Sequence, residues 1–156
     1  MSSREPSINT ATVHSLRRVF QDAFTVRDLA ESLISFDDST DAGRVADFMQ
    51  RESLSVVGVR QEGSVVKYVQ KQDLDGGLNC GDRARSIDPE QVINDSASLV
   101  ELVLKLRVQQ RLFVSLLGQV GGIVSRTDLL KPPVRMWLFG MITLIEMRLT
   151  KLLEQH

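Results

Sequence analysis

The sequence predicts an α+β fold: two copies of a β-α-β-β-α unit packed as a pseudo-twofold pair, with one helix added before them and one after. Three observations lead there. The segment VVKYVQKQDL (65–74) returns as VGGIVSRTDL (120–129), so that Val65 falls on Val120, Val69 on Val124, Asp73 on Asp128 and Leu74 on Leu129 at a constant offset of 55. Gly63 and Gly118 keep that offset between two apolar runs, where one strand should turn into the next. Upstream, Asp38-Ser39 matches Asp95-Ser96 at an offset of 57, and each pair precedes an apolar stripe of helical spacing.

Taken in chain order, Val13, Leu16, Phe20 and Ala23 recur at helical spacing and predict an amphipathic helix over 10–24. In the first repeat, Asp38 is placed to cap a helix carrying Ala42, Val45, Ala46 and Met49. Strands follow at SVVGV (55–59) and VVKYV (65–69), then a short helix opens at QKQDL. The second repeat has the same order: Asp95 as cap, then Leu99, Leu102, Val103 and Leu106, strands at LFVSLL (112–117) and QVGGIV (119–124), and a short helix at SRTDL. A unit of about 55 residues buries too little surface to be dependably stable alone. The two are therefore expected to pack sheet edge to sheet edge, leaving a cleft along the pseudo-twofold. The organisation is residues 1–24 as N-terminal segment and helix, 25–79 and 80–131 as the two repeats, and 132–156 as a C-terminal apolar helix.

Charge and composition narrow the function. With 19 Lys and Arg against 20 Asp and Glu, the chain lacks the basic excess that neutralises a phosphate backbone, so nucleic acid is not an expected partner. Cys80 is the single cysteine and His14 the single histidine before the terminal His156, which leaves neither a disulfide, nor a metal site, nor a Ser/His arrangement. MSSREPS opens polar without an apolar signal core, pointing to a reducing cytoplasm. No catalytic residue is assigned and the expected protein is not an enzyme.

The lead-in segments TVRDL (25–29) and CGDRA (80–84), the Asp-Ser helix starts, the strand-Gly-strand hairpins and above all GIVSRTDLL (122–130) make residues 25–131 resemble a tandem pair of cystathionine-β-synthase (CBS) domains. The last stretch is similar to that family's G-h-h-S/T-x-x-D pattern. The resemblance, to a small bacterial-type CBS protein with an added C-terminal helix, implies a regulatory module that senses an adenosine nucleotide or related adenosyl compound. It also implies a disc-shaped homodimer. AMP, ADP, ATP or an S-adenosyl compound is the expected ligand, and no cofactor is required.

Chemistry makes such a ligand reasonable at that turn. The Asp128 carboxylate can accept from both hydroxyls of a ribose, while Ser125 and the free N–H groups of the helix start face a phosphate. Arg126 and Lys131 are near enough in sequence to add positive charge, and Ile123, with Val92 and Ile93, would line an adenine. Ser125 and Asp128 also have capping-box spacing, so capping alone is the competing explanation, with ligand contact favoured by the resemblance. In the first repeat Gln70 replaces the serine while Asp73 keeps the carboxylate, and Lys67-Tyr68 replace Gly122-Ile123. One better site at Ser125 and Asp128 and one degraded site near Asp73 are expected.

KPPVRMWLFGMITLIEMRLTKLLEQH (131–156) carries a second expectation. Pro132 and Pro133 end the preceding element and open a new helix. Leu138, Ile142, Ile145, Leu149 and Leu152 recur at 4,3,4,3 spacing, and Trp137, Met141 and Leu144 widen the stripe. Three arrangements remain open: burial within the monomer, self-pairing in a homodimer through Leu138, Ile142, Ile145 and Leu149, and a different protein seated on residues 133–154. Arg135, Glu146 and Arg148 bound too short a run for a membrane span, and the polar face is not basic enough for a membrane surface. Ending in helical sequence without a glycine cap, the natural chain is expected to continue beyond His156.

Overall fold

A computed structural model describes residues 10–75 and 78–154. Four α-helices, α1 (Thr10–Asp22), α2 (Ala42–Arg51), α3 (Leu99–Val108) and α4 (Pro132–Glu154), combine with eight strands. These are β1 (Glu31–Ser32), β2 (Ser35–Asp37), β3 (Val56–Gln61), β4 (Ser64–Gln70), β5 (Arg85–Ser86), β6 (Val92–Asn94), β7 (Arg111–Leu116) and β8 (Gln119–Ser125). They form two four-stranded sheets of order β2-β3-β4-β5 and β6-β7-β8-β1. In each sheet a parallel pair precedes an antiparallel hairpin. The expected α+β repeat is therefore present, except that the closing element of each unit is a single 3-10 turn, Lys71–Leu74 or Arg126–Leu130.

The hairpins turn where the glycines predicted. Glu62-Gly63 has φ of 50° and 82°, and Leu117-Gly118 has 50° and 81°. Two consecutive positive φ values make the primed turn whose twist suits a two-residue hairpin. Nothing lies near a Cβ built on either glycine, so conformation rather than space requires it.

The fourth strand of each sheet comes from the other repeat. β1 pairs with β8, placing Glu31 opposite Ile123 and Ser32 opposite Gly122, while β5 pairs with β4 through Ser86 and Lys67. The lead-in segments cross over accordingly. Val26 and Leu29 enter the core beneath α3, and Cys80 enters the core beneath α2. The backbone follows the same exchange, with Val26 N donating to Ala97 O at 3.0 Å and Cys80 N to Thr40 O at 2.8 Å. Neither repeat completes its own sheet, which gives the small units a structural reason to occur as a pair. Gly122 also finds its explanation here: a Cβ would press on Val114 and on the Glu31 carbonyl, so the glycine admits the exchanged strand.

The sheets meet face to face rather than edge to edge. Along β3, Val57 and Val59 point to α2, and Val56 points to the other sheet; along β7, Leu112 and Val114 point to α3 and Phe113 to the other sheet. Leu33, Val56, Tyr68 and Phe113 close the space between, with the Tyr68 and Phe113 rings 5.0 Å apart. Strands buried on both faces cannot alternate apolar with polar, which explains the continuous apolar runs of β3 and β7. Layers of helix, sheet, sheet and helix result.

The helix caps differ from expectation. Asp41 accepts from Arg44 N at 2.9 Å to cap α2, and Ser98 accepts from Glu101 N at 3.2 Å to cap α3. Asp38 and Asp95, three residues earlier, serve the strand exchange. The Asp38 carbonyl accepts from Gly81 N at 2.9 Å, and the buried Asp95 carboxylate takes Arg27 Nε at 2.8 Å. A cap must directly precede its first turn, and three residues of loop intervene here.

α1 packs on α4, where the ring of Phe20 lies over Gly140 and leaves no room for a side chain at that glycine. Leu16 is half-buried, Ala23 is exposed, and the side chain of Val13 lies outside the described residues. Because α1 ends at Asp22, the chain turns and Phe24 takes the place by the core expected of Ala23.

Candidate functional site

Four 3-10 turns in this fold share one arrangement. Thr25–Asp28, Gln70–Asp73, Asn79–Asp82 and Ser125–Asp128 each end in an aspartate whose carboxylate accepts the backbone N–H of the first residue, at 2.7, 3.4, 2.8 and 2.7 Å respectively. The x-x-x-Asp pattern is thus first a capping device. What separates the turns is the remaining capacity of each carboxylate.

Asp128 is engaged at both oxygens. One oxygen takes the Ser125 N–H and the Ser125 hydroxyl, the latter at 2.9 Å; the other faces Lys131 Nζ at 2.7 Å. Burial pushes its pKa up, but the Lys131 ammonium and the two Ser125 donors outweigh that and hold it below the ordinary carboxylate value. Lys131 is displaced in the stabilising direction too: burial lowers its pKa, while Asp128 and Glu31 raise it further, above the usual lysine value.

A pH profile follows. A depressed carboxyl contributes stability above its unfolded pKa and loses it as pH falls through the folded value; a raised lysine contributes below its unfolded pKa and loses it as pH rises through the folded value. The difference in thermal midpoint between wild type and Lys131→Met should therefore be flat from about pH 5 to 9 and shrink on both sides. A constant difference down to about pH 2 would show that the ion pair is not its source.

The other expected site residues serve the scaffold. Arg126 does not face the turn: its Nε donates to Leu106 O at 2.7 Å and its Nη2 to Arg107 O at 3.1 Å, closing the C-terminal end of α3. Ile123 packs with Val92 against the core between the sheets, and Ile93 is buried beneath α3. In the first repeat, Asp73 Oδ1 accepts from Arg85 at 2.7 Å, a pair whose arginine is half exposed.

A cavity of about 410 Å³ opens beside the first turn, bounded by Gln50, Ser53, Gln70, Lys71, Gln72 and Arg111. Arg111 belongs to the second repeat and opens β7, where the first repeat has Val56 at the start of β3. One of its guanidinium nitrogens is buried without a hydrogen-bond partner. Lys71 rests on the Gln50 side-chain oxygen. The wall holds two cations, several amide and hydroxyl groups and no carboxylate, so it suits an anion. Sequence reasoning passed over Lys71 and Arg111; the available signal was a lone arginine heading an apolar strand where its repeat mate has valine.

The outer face of α4 is apolar and open. Val134, Trp137, Gly140 and Leu144 are buried, whereas Leu138 is 47% exposed and Ile142, Ile145 and Leu149 are each 55% exposed. Burial of the whole helix within the monomer is thereby overturned, because its neighbours cover only one side. Among the described residues no helix is long and apolar enough to cross a membrane.

Solved structures with this arrangement are numerous, although no protein-family model and no curated protein matches the sequence. A CBS domain-containing protein of unknown function from Bacillus anthracis superposes with a TM-score of 0.61 at 12% identity, covering 73% of this chain and 94% of that one. The fold is that of a CBS-domain pair. The CBS-pair protein CBSX2 from Arabidopsis thaliana, also solved in complex with AMP, aligns with a TM-score of 0.59 at 21% identity over 74% of this chain and 94% of that one. The CBS domain of a bacterial CNNM/CorC family Mg²⁺ transporter in complex with ATP gives a TM-score of 0.59 at 14% identity, over 78% of this chain and 94% of that one. In this chain the exchanged strands and the hairpins build that fold, and α4 follows them.

Proposed function

We propose that this chain is a regulatory ligand-sensing CBS module that binds an adenosine nucleotide or related adenosyl compound in the cleft between its repeats, with no catalytic role. The observation that carries the reading is the cavity at Gln70–Gln72, whose cationic wall is built by both repeats and leaves Arg111 with an unpaired buried nitrogen. About 410 Å³ falls in the ordinary range for a small-molecule pocket. An anion there would meet the cations Lys71 and Arg111 and bridge the repeats, so occupancy is felt by both. The AMP and ATP complexes of other CBS proteins support the choice of ligand class. Asp73, next in the chain after the cavity-lining Gln72 although not itself in the wall, is the carboxylate nearest in sequence for the ribose hydroxyls; Ser125, Asp128, Arg126 and Ile123 belong to the turn of the second repeat and its scaffold.

Calorimetric titration tests this. Arg111→Ala and Lys71→Ala should each weaken AMP or ATP binding on the order of tenfold to a hundredfold, as expected for loss of one charge-assisted hydrogen bond. Saturating ligand at about 100 times its dissociation constant should stabilise the wild type by about 2.7 kcal/mol. Absence of any thermal shift with AMP, ADP, ATP and S-adenosylmethionine overturns the reading.

A second reading rests on the exposed face of α4. We propose that Leu138, Ile142, Ile145 and Leu149 form a seam through which two copies associate, making the chain a homodimer. A continuous apolar stripe at heptad spacing, left in water, is the pattern that a second helix covers. A different protein on the same seam is the competing outcome, distinguished by the oligomeric state of the purified chain.

A further inference from the structure

We propose that Lys131 is a lock on the second cleft: its ammonium takes the place at Asp128 that a ligand's hydroxyls would need, so only the first cleft of this pair is open. The inference rests on the reading of the chain as a nucleotide-binding module and says which of its two clefts works.

Three acceptors surround Lys131 Nζ: Asp128 Oδ1 at 2.7 Å, Glu31 Oε1 at 2.9 Å and Leu29 O at 2.9 Å. An ammonium has three protons, and all three are placed. Leu29 and Glu31 lie on the exchanged lead-in of the first repeat, so the lysine ties the Ser125–Asp128 turn to the strand that crosses over it. With Ser125 holding the other carboxylate oxygen by two hydrogen bonds, Asp128 keeps little capacity for a vicinal diol. A ligand must displace the ammonium, separating two charges that are both largely shielded from water.

Among the described residues the first cleft has no such lock. The position that matches Lys131 at the repeat offset of 55 is Gly76, which has no side chain. Arg85 does pair with Asp73, but it reaches in from β5, is half exposed, and makes that one contact. The cavity of about 410 Å³ lies on that side. The asymmetry thus runs opposite to motif quality: the turn with the intact Ser-x-x-Asp is the closed one.

Isothermal titration with AMP as probe decides it. The wild type is expected to take one equivalent, Lys131→Met two, and Lys131→Arg, which keeps a cation there, one. If Lys131→Met binds no more AMP than the wild type while its circular dichroism is unchanged, the lock is overturned. A wild type that takes none and a Lys131→Met that takes one leaves the lock standing and defeats the reading of the first cavity instead. Should Lys131→Met fail to fold, Lys131→Gln removes the charge while keeping a polar side chain; a second equivalent supports the lock, and an unchanged stoichiometry overturns it.

Discussion

Replacing Phe113 with alanine is expected to remove about 3 to 5 kcal/mol of stability, the usual loss for truncating a fully buried phenylalanine. Phe113 is 0% exposed and stands between the sheets, against Tyr68 and beside Val56 and Leu33. It belongs to neither helix-covered core. The truncation therefore weakens the contact between repeats more than either repeat, and a domain of this kind has only about 5 to 15 kcal/mol in total. Chemical denaturation measures the loss. Leu102→Ala, in the core beneath α3, supplies the comparison. If Phe113→Ala leaves the unfolding free energy within about 1 kcal/mol of wild type, the sheets are held together by the exchanged strands and the layer between them is secondary.

If two copies associate through α4 as proposed, introducing Ile142→Glu together with Ile145→Glu should turn the dimer into a folded monomer. Both side chains are 55% exposed on α4, so glutamate there meets water in the monomer at little cost. In a self-paired seam each new charge would be buried against apolar neighbours and would face its own copy, costing several kcal/mol. Light scattering with circular dichroism reads the result. A wild type that is monomeric at micromolar concentration defeats self-association before any variant is made and assigns the seam to a different protein. A double variant that stays dimeric moves the interface off α4.

Much of the architecture was legible in the residues because the repeat is covalent information. An offset of 55 between matching strands, glycine at both hairpin tips and helical stripes in matching places require no knowledge of what packs where. The open face of α4 was legible for a related reason: a stripe wider than one neighbour can cover announces itself in the pattern of Leu138, Ile142, Ile145 and Leu149. Charge balance and the scarcity of cysteine and histidine likewise constrain chemistry without a fold.

The caps and the surroundings of the candidate site residues were not legible, because their partners lie far away in the chain. Asp38 and Asp95 look like caps from their sequence position, yet their partners, Gly81 and Arg27, come from the other repeat. Arg126 looks like a ligand residue beside Ser125, but the carbonyls of α3 lie closer to its guanidinium. Gly122, where the first repeat has Lys67, leaves a space that only the tertiary structure shows to belong to β1.

By itself the sequence determined the unit, its duplication, the hairpin turns and the apolar outer helix, since each depends on periodicity and local backbone preference within a few turns of chain. Only the tertiary structure decided that the sheets pack face to face and exchange edges, that Lys131 engages Asp128, and that Arg111 crosses to the cavity beside Gln70. Those outcomes join residues far apart in the chain. A side chain's charge is written in sequence, but its partner is chosen by whichever group the packed backbone brings within about 3 Å.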